Sequence, residues 1–333
     1  MPTWTGDFRS AIEAAGDDVA AGLEVARVFG ARVPYPGDGA TITRWSLLAV
    51  AGALDLTATR ILEPHCDALA ILREAGEATP DGAWGVFAAE TPGERLEWRA
   101  GSLSGTKPWC SLGDVLDHAL VTAFVGEQRH LFAVDLRHDS VRPDPSQQWV
   151  ARGLSHVTSV ALHFDRTPAR PIGEPGWYLR RPGFAWGGMG VAACWLGGAL
   201  GLQQDLVAAS GTRTGELVGL HVGLVDSVIA GARATLNSAA RLVDSAVATG
   251  AAGELLMLRV RATVADAVER VLTQVGHALG PAPLAFDERY ARRVADLQLY
   301  LRQHHAERDL AALGRVVLDQ EVSPLDQVTR TGL

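Results

Sequence analysis

The sequence predicts an α+β multidomain chain of three parts: a helical domain, an antiparallel β domain and a four-helix bundle. Three observations carry this. Ala- and Leu-rich helical patterning fills the first 80 or so residues, β-branched and aromatic runs replace it from Trp84 to about Asp165, and long apolar stripes return beyond Gly183. Each change of pattern falls on a cluster of proline and glycine, the strongest local punctuation a chain has. The expected domains are 1–82, 83–170 and 171–333.

In the first part Leu47, Val50, Leu54 and Leu56 cluster at helix-compatible spacing, and a second helical stretch covers 58–76. Thr79-Pro80-Asp81-Gly82 closes it. In the second, Val160, Leu162 and Phe164 alternate with Ala161 and His163, the period-two pattern of a strand with one buried face. Residues 131–136 form another expected strand after a polar turn at 126–129, and a sandwich or barrel suits about 80 such residues. Residues 167–183, rich in proline and glycine, are expected to be a linker. In the third part Val222, Val225, Ile229, Ala232, Leu236, Ala240, Val243 and Val247 recur every three or four residues, and Val260, Val264, Ala267, Val271 and Val275 repeat the stripe. With 184–209 and 287–319, these make four long helices in series, most simply a bundle.

Composition narrows the partners. The 333 residues are 47% hydrophobic and 20% charged, as in a folded globular chain, and carry a net charge of −8. An acidic balance argues against nucleic acid, whose phosphates are held by Lys and Arg displacing counterions. Cys66, Cys110 and Cys194 are odd in number and far apart, which suits a reducing cytoplasm better than a disulfide framework. No run approaches the roughly 20 apolar residues of a membrane span, and the most apolar stretch, 187–202, reads as buried core.

Three motifs then point to a family. Residues 54–69, Leu-Asp-Leu-Thr-Ala-Thr-Arg-Ile-Leu-Glu-Pro-His-Cys-Asp-Ala-Leu, are followed by Phe87-Ala88-Ala89-Glu90-Thr91 and by Leu103-Ser104-Gly105-Thr106-Lys107-Pro108-Trp109-Cys110-Ser111-Leu112-Gly113. The third is Gln274-Val275-Gly276-His277-Ala278-Leu279-Gly280, in a C-terminal bundle that opens at Gly183-Phe184-Ala185-Trp186. In this order they resemble acyl-CoA dehydrogenases, particularly small bacterial members. The resemblance implies FAD as cofactor, with Phe87, Ala89, Glu90, Trp109, Cys110 and Ser111 on strands against the flavin ring and Arg213, Gln274 and Gly276 as further contacts. Extended backbone there would offer fixed N–H donors to the ring. It also implies an acyl-CoA or related acyl thioester as substrate, a homodimer or homotetramer, and an electron-transfer partner.

Several family positions differ. Ala89 replaces a hydroxyl residue, Gly93-Glu94-Arg95 replaces Gly-Ser-Asp, and Gly211-Thr212-Arg213-Thr214-Gly215 stands for Arg-x-x-Phe-Gly. Tyr300-Leu301-Arg302 replaces Tyr-Glu-Gly, whose Glu takes the substrate α-proton in many members. Dehydrogenation of an acyl thioester needs that base. His304, His305 and Glu307, just beyond, are the candidates, since an imidazole titrates near neutral pH. The same losses keep two other expectations open: a non-catalytic member serving a partner subunit, and a flavin-dependent monooxygenase in which His305 assists. Two further features have plainer readings. Gly188-Met189-Gly190-Val191-Ala192-Ala193 is read as close helix packing because no strand precedes it, and His65 beside Glu63 is read as a structural histidine.

Overall fold

The computed structural model describes residues 1–211 and 216–319. Four helices lead: α1 (Thr5–Ala15), α2 (Val19–Phe29), α3 (Thr41–Leu54) and α4 (Leu56–Glu74). Asp18 and Asp55 cap α2 and α4, accepting from Ala21 N–H and Ala58 N–H at 3.0 Å each. Such caps satisfy amides that a helix start leaves open. Asp55 also accepts from Arg292 Nη2 at 2.8 Å, which pins the start of α4 to the C-terminal domain. Arg60, Glu63 and Asp67 therefore stand on one face of α4 at three- and four-residue spacing. Pro64, also inside α4, lacks the N–H that would bond the Arg60 carbonyl.

Seven strands follow: β1 (Trp84–Phe87), β2 (Leu96–Arg99), β3 (Ser102–Lys107), β4 (His118–Val125), β5 (Gln128–Asp135), β6 (Val141–Pro143) and β7 (Leu162–Ile172). Pairings β4–β2, β2–β3, β3–β7, β7–β5 and β5–β4 close a circuit, so five strands form a barrel that leaves them no free edge. β1 and β6 attach outside, to β4 and β7. Most pairings of the expected antiparallel domain are antiparallel, but β1 and β2 both run parallel to β4. The expected linker is corrected. Its first six residues belong to β7, which pairs with β3 and β6 and then, past Pro168, with β5.

The C-terminal part comprises α5 (Trp177–Arg180), α6 (Pro182–Ser210), α7 (Glu216–Asp244), α8 (Gly250–Leu279), α9 (Pro281–Phe286), α10 (Glu288–Tyr300) and α11 (Glu307–Leu318). The expected single helix over 287–319 is broken: a 3₁₀ turn over Leu301–Gln303 leads into extended His304, and Ala306 takes a left-handed φ of 46°. α6 is the central element. It meets α3 through Gly52 and Gly197, where an added Cβ would lie 2.6 Å from the Cys194 carbonyl oxygen or 2.4 Å from that of Ala49. Contrary to the sequence expectation, α6 and α7 are each long and apolar enough, at 29 residues, to cross a membrane. In α6, 72% of the apolar window is buried inside the protein, as expected of core; in α7 the share is 22%.

Candidate active site

The strand wall and the helices meet at Ser111. Its hydroxyl lies 3.1 Å from Arg60 Nη2 and 2.8 Å from Ser159 Oγ. Arg60 Nη1 stands 3.9 Å from Glu63 Oε2, and the guanidinium carbon lies 5.7 Å from the centre of the Tyr300 ring. One arginine thus links the wall, a carboxylate and a phenol. Behind them Arg261 of α8 lies over the Trp195 ring at 4.7 Å and donates to the carbonyls of Gly188 and Gln303 at 3.1 and 2.6 Å.

Burial decides the electrostatics of this junction. Removing Glu63 from water raises its pKa to about 7, against the opposing pull of Arg60, Arg44 and Arg261. Burial likewise raises the pKa of Asp67, Cys194 and Tyr300 and lowers that of Arg261. Two donors here are buried without a conventional hydrogen-bond partner: Tyr300 Oη, which faces only the Cys194 thiol, and Trp195 Nε1. Native interiors satisfy nearly all such groups, so a cluster of orphans marks a place where a ligand or water completes the network. The helical glycines admit this packing. A Cβ on Gly187 would lie 2.8 Å from Asp67 Oδ1, one on Gly188 2.7 Å from Met257 Sδ, and one on Gly190 3.4 Å from Trp45 Nε1.

The residues singled out from sequence are dispersed. Phe87 and Cys110 are buried, at 3% and 1% exposure. Glu90 is engaged by Lys107 Nζ at 2.7 Å, Thr122 Oγ1 at 3.0 Å and Arg129 at 3.3 Å. Ala89 and Trp109 are exposed, Trp109 at 59% on a left-handed backbone with φ of 58°. The backbone donors expected along this segment are already used: Cys110, Ser111 and Leu112 N–H groups bond to the carbonyls of Val160, Trp109 and Thr158. Gln274 Oε1 lies 2.9 Å from His221 Nδ1, from which it accepts, and Gly276 has open space around it. Arg213 lies outside the described residues.

Among the candidate bases, His304 alone reaches the junction. It is buried, with its ring 6.4 Å from that of Trp195, and burial lowers its pKa despite Asp309 at 4.0 Å. His305 is exposed and held by Asp309 at 3.2 Å, and Glu307 is exposed at the start of α11. His65 is structural, its Nδ1 accepting from Trp84 N–H at 3.2 Å. Sequence reasoning missed Glu63 and Arg60 as site residues, although both lie within the first motif.

Solved structures fix the architecture. Butyryl-CoA dehydrogenase from Megasphaera elsdenii matches over 96% of this chain and 99% of its own, with a TM-score of 0.78 at 14% identity. The chain has the acyl-CoA dehydrogenase fold. The same acyl-CoA dehydrogenase fold aligns with KijD3 in complex with FMN and dTDP-3-amino-2,3,6-trideoxy-4-keto-3-methyl-D-glucose, over 97% of this chain and 95% of that one (TM-score 0.75, 16% identity). It also aligns with TdsC from Paenibacillus sp. A11-2 in complex with FMN and indole, over 95% of each chain (TM-score 0.75, 15% identity). No protein-family model and no curated protein matches the sequence. Dehydrogenases and flavin monooxygenases thus share this architecture.

The wall's fit to a flavin is divided. Between α4 and the wall, the space bounded by Arg60, Ile61, Pro64, β1, Ser111 and Leu116 is about 10 Å³, which is room for one water at most. A flavin ring does not fit in that space as it stands. The outer face does offer a surface to a planar ring, since Trp109 presents an uncovered indole there.

Proposed function

We propose that this chain is a flavin-dependent oxidoreductase that performs α,β-dehydrogenation of an acyl thioester at the Ser111–Arg60–Glu63–Tyr300 junction, with Glu63 as the base. One observation carries the reading: a buried carboxylate with a pKa of about 7 stands one arginine away from the wall hydroxyl and beside Tyr300. In this reading Glu63 takes over the role of the carboxylate that Leu301 removes from the sequence. A base poised near the working pH is efficient in proton transfer. Trp109 and Ser111 would hold the flavin, which when bound would supply the two-electron acceptor, and the space of about 10 Å³ between α4 and the wall has to widen for an acyl group to reach Glu63. Glu63 takes the α-proton, and Arg60 keeps the carboxylate oriented. The charges of Arg60, Glu63, Asp67 and Arg261 between α4, α6 and α8 suit a short or polar acyl group better than a long hydrocarbon.

Purified chain mixed with FAD or FMN is expected to retain a flavin spectrum that short-chain acyl-CoA bleaches, while Glu63→Gln retains flavin without bleaching. Failure to retain either flavin rejects the enzymatic reading. That result would favour the second reading, a catalytically degenerate partner subunit, which the narrow space between α4 and the wall supports. A third reading, monooxygenation, draws support from the likeness to TdsC, a dibenzothiophene monooxygenase. Oxygen uptake by the reduced, flavin-loaded chain in the absence of acyl-CoA separates it from dehydrogenation.

A further inference from the structure

A second cavity lies on the opposite side of α6 from Glu63, bounded by α1, α3, α6 and α7. Its volume is about 380 Å³, within the range of small-molecule sites. Its α6 wall is Ala193, Leu196 and Leu200, spaced three and four residues apart, so it uses a different face of the helix from Cys194 and Trp195. Trp45, at 2% exposure, lines it and carries one of the unpartnered indole N–H groups.

The charge of the lining is one-sided. Arg9 of α1 and Arg233 of α7 contribute to it, with Gln204 and Asn237, and no Asp or Glu does, in a chain whose net charge is −8. Both arginines are exposed, and among the described residues neither has an ion-pair partner. Elsewhere this protein pairs its arginines readily, as Arg292 with Asp17 and Asp55, or Arg181 with Glu74. Apolar walls on rigid helices with two free guanidinium groups and an orphaned indole donor form a complementary surface for one kind of ligand: an apolar chain ending in an anionic, acceptor-only head group.

We infer that the α1–α3–α6–α7 cavity binds a small amphipathic carboxylate, its hydrocarbon against Trp45, Leu196 and Leu200 and its head between Arg9 and Arg233. The site is separate from the flavin wall, and its occupancy does not depend on the reading of that wall. The probe is decanoate, compared by titration calorimetry with decanol and decylammonium below their aggregation concentrations. Decanoate is expected to bind one per chain, decanol at least tenfold more weakly, and decylammonium not at all. Arg9→Ala and Arg233→Ala should each weaken decanoate about tenfold and leave decanol unchanged. Ala193→Phe, which fills the cavity, should abolish binding of both while circular dichroism and the melting temperature stay close to those of the parent. Equal binding of decanoate and decylammonium overturns the inference, as does decanoate binding that survives Ala193→Phe. Absence of binding in an oligomer whose association Ala193→Phe disrupts also overturns it, since the cavity would then hold side chains of a second copy.

Discussion

At the scale of single residues, Glu63 has the clearest consequence for stability. Its pKa rises from 4.5 to about 7 on folding, chiefly through burial. Between those values the folded chain keeps a proton that the unfolded chain has released, so this residue's contribution to stability falls as pH rises from about 4.5 to about 7 and stays low above. At about 1.4 kcal/mol per pKa unit the full loss is on the order of 3 kcal/mol. Glu63→Gln, which mimics the protonated acid, is expected to match the parent near pH 4.5 and to exceed its stability by about 2–3 kcal/mol at pH 8, in urea unfolding followed at both pH values. A difference independent of pH would mean that Arg60 holds Glu63 ionised throughout. Nothing in the residue string distinguished Glu63 from His304 or His305 as a base. Imidazole stands out in the string because its ordinary pKa is near neutral, but a pKa belongs to a place. His304 is buried and driven toward neutrality, His305 faces solvent, and the carboxylate was desolvated into the working range.

At the scale of elements, what was legible is what periodicity encodes. The apolar stripes of α7 and α8 and the glycine-rich run of α6 form helices where spacing placed them. The break at residues 301–306 was illegible because no proline or glycine announces it, and Ala306 takes a positive φ that a side chain seldom adopts. The barrel circuit was equally hidden, since alternation reveals a strand's faces and not its neighbours. Glycine is the other ambiguous signal. Within helices it costs about 1 kcal/mol relative to alanine unless contact requires it, and α6 and α7 use it for opposite reasons. At Gly197 a Cβ would strike the α3 backbone, whereas around Gly231 of α7 nothing lies within 4 Å. Gly197→Ala should therefore destabilise by about 1–3 kcal/mol through overpacking, and Gly231→Ala should stabilise by about 0.5–1 kcal/mol. Denaturant midpoints of the two variants beside the parent check both signs; stabilisation by Gly197→Ala would refute the close α3–α6 contact.

At the scale of the whole molecule, α7 is a helix whose apolar content exceeds what the single chain buries. Leu217 and Leu220 are 71% and 54% exposed, and only 22% of the helix's most apolar window is covered. Gly219 and Gly223 beside them leave the surface flat enough for another helix to approach. Contiguous exposed apolar surface of this kind marks an interaction site, and the two-sided polarity of the rest of α7, with Asp226, Arg233 and Arg241 exposed, fits a protein partner better than a lipid one. A second copy of this chain is the partner expected, with the N-terminal half of α7 at the interface. Sedimentation equilibrium should give a dimer or larger assembly, and Leu220→Glu should shift it to monomer by placing an unpaired carboxylate in the contact. Leu220 lies thirteen residues before Arg233, about 20 Å along the helix, so the same variant should leave decanoate binding at Arg9 and Arg233 unchanged. A parent chain that sediments as a monomer would leave the exposed leucines of α7 without the covering proposed for them and would refute this assembly.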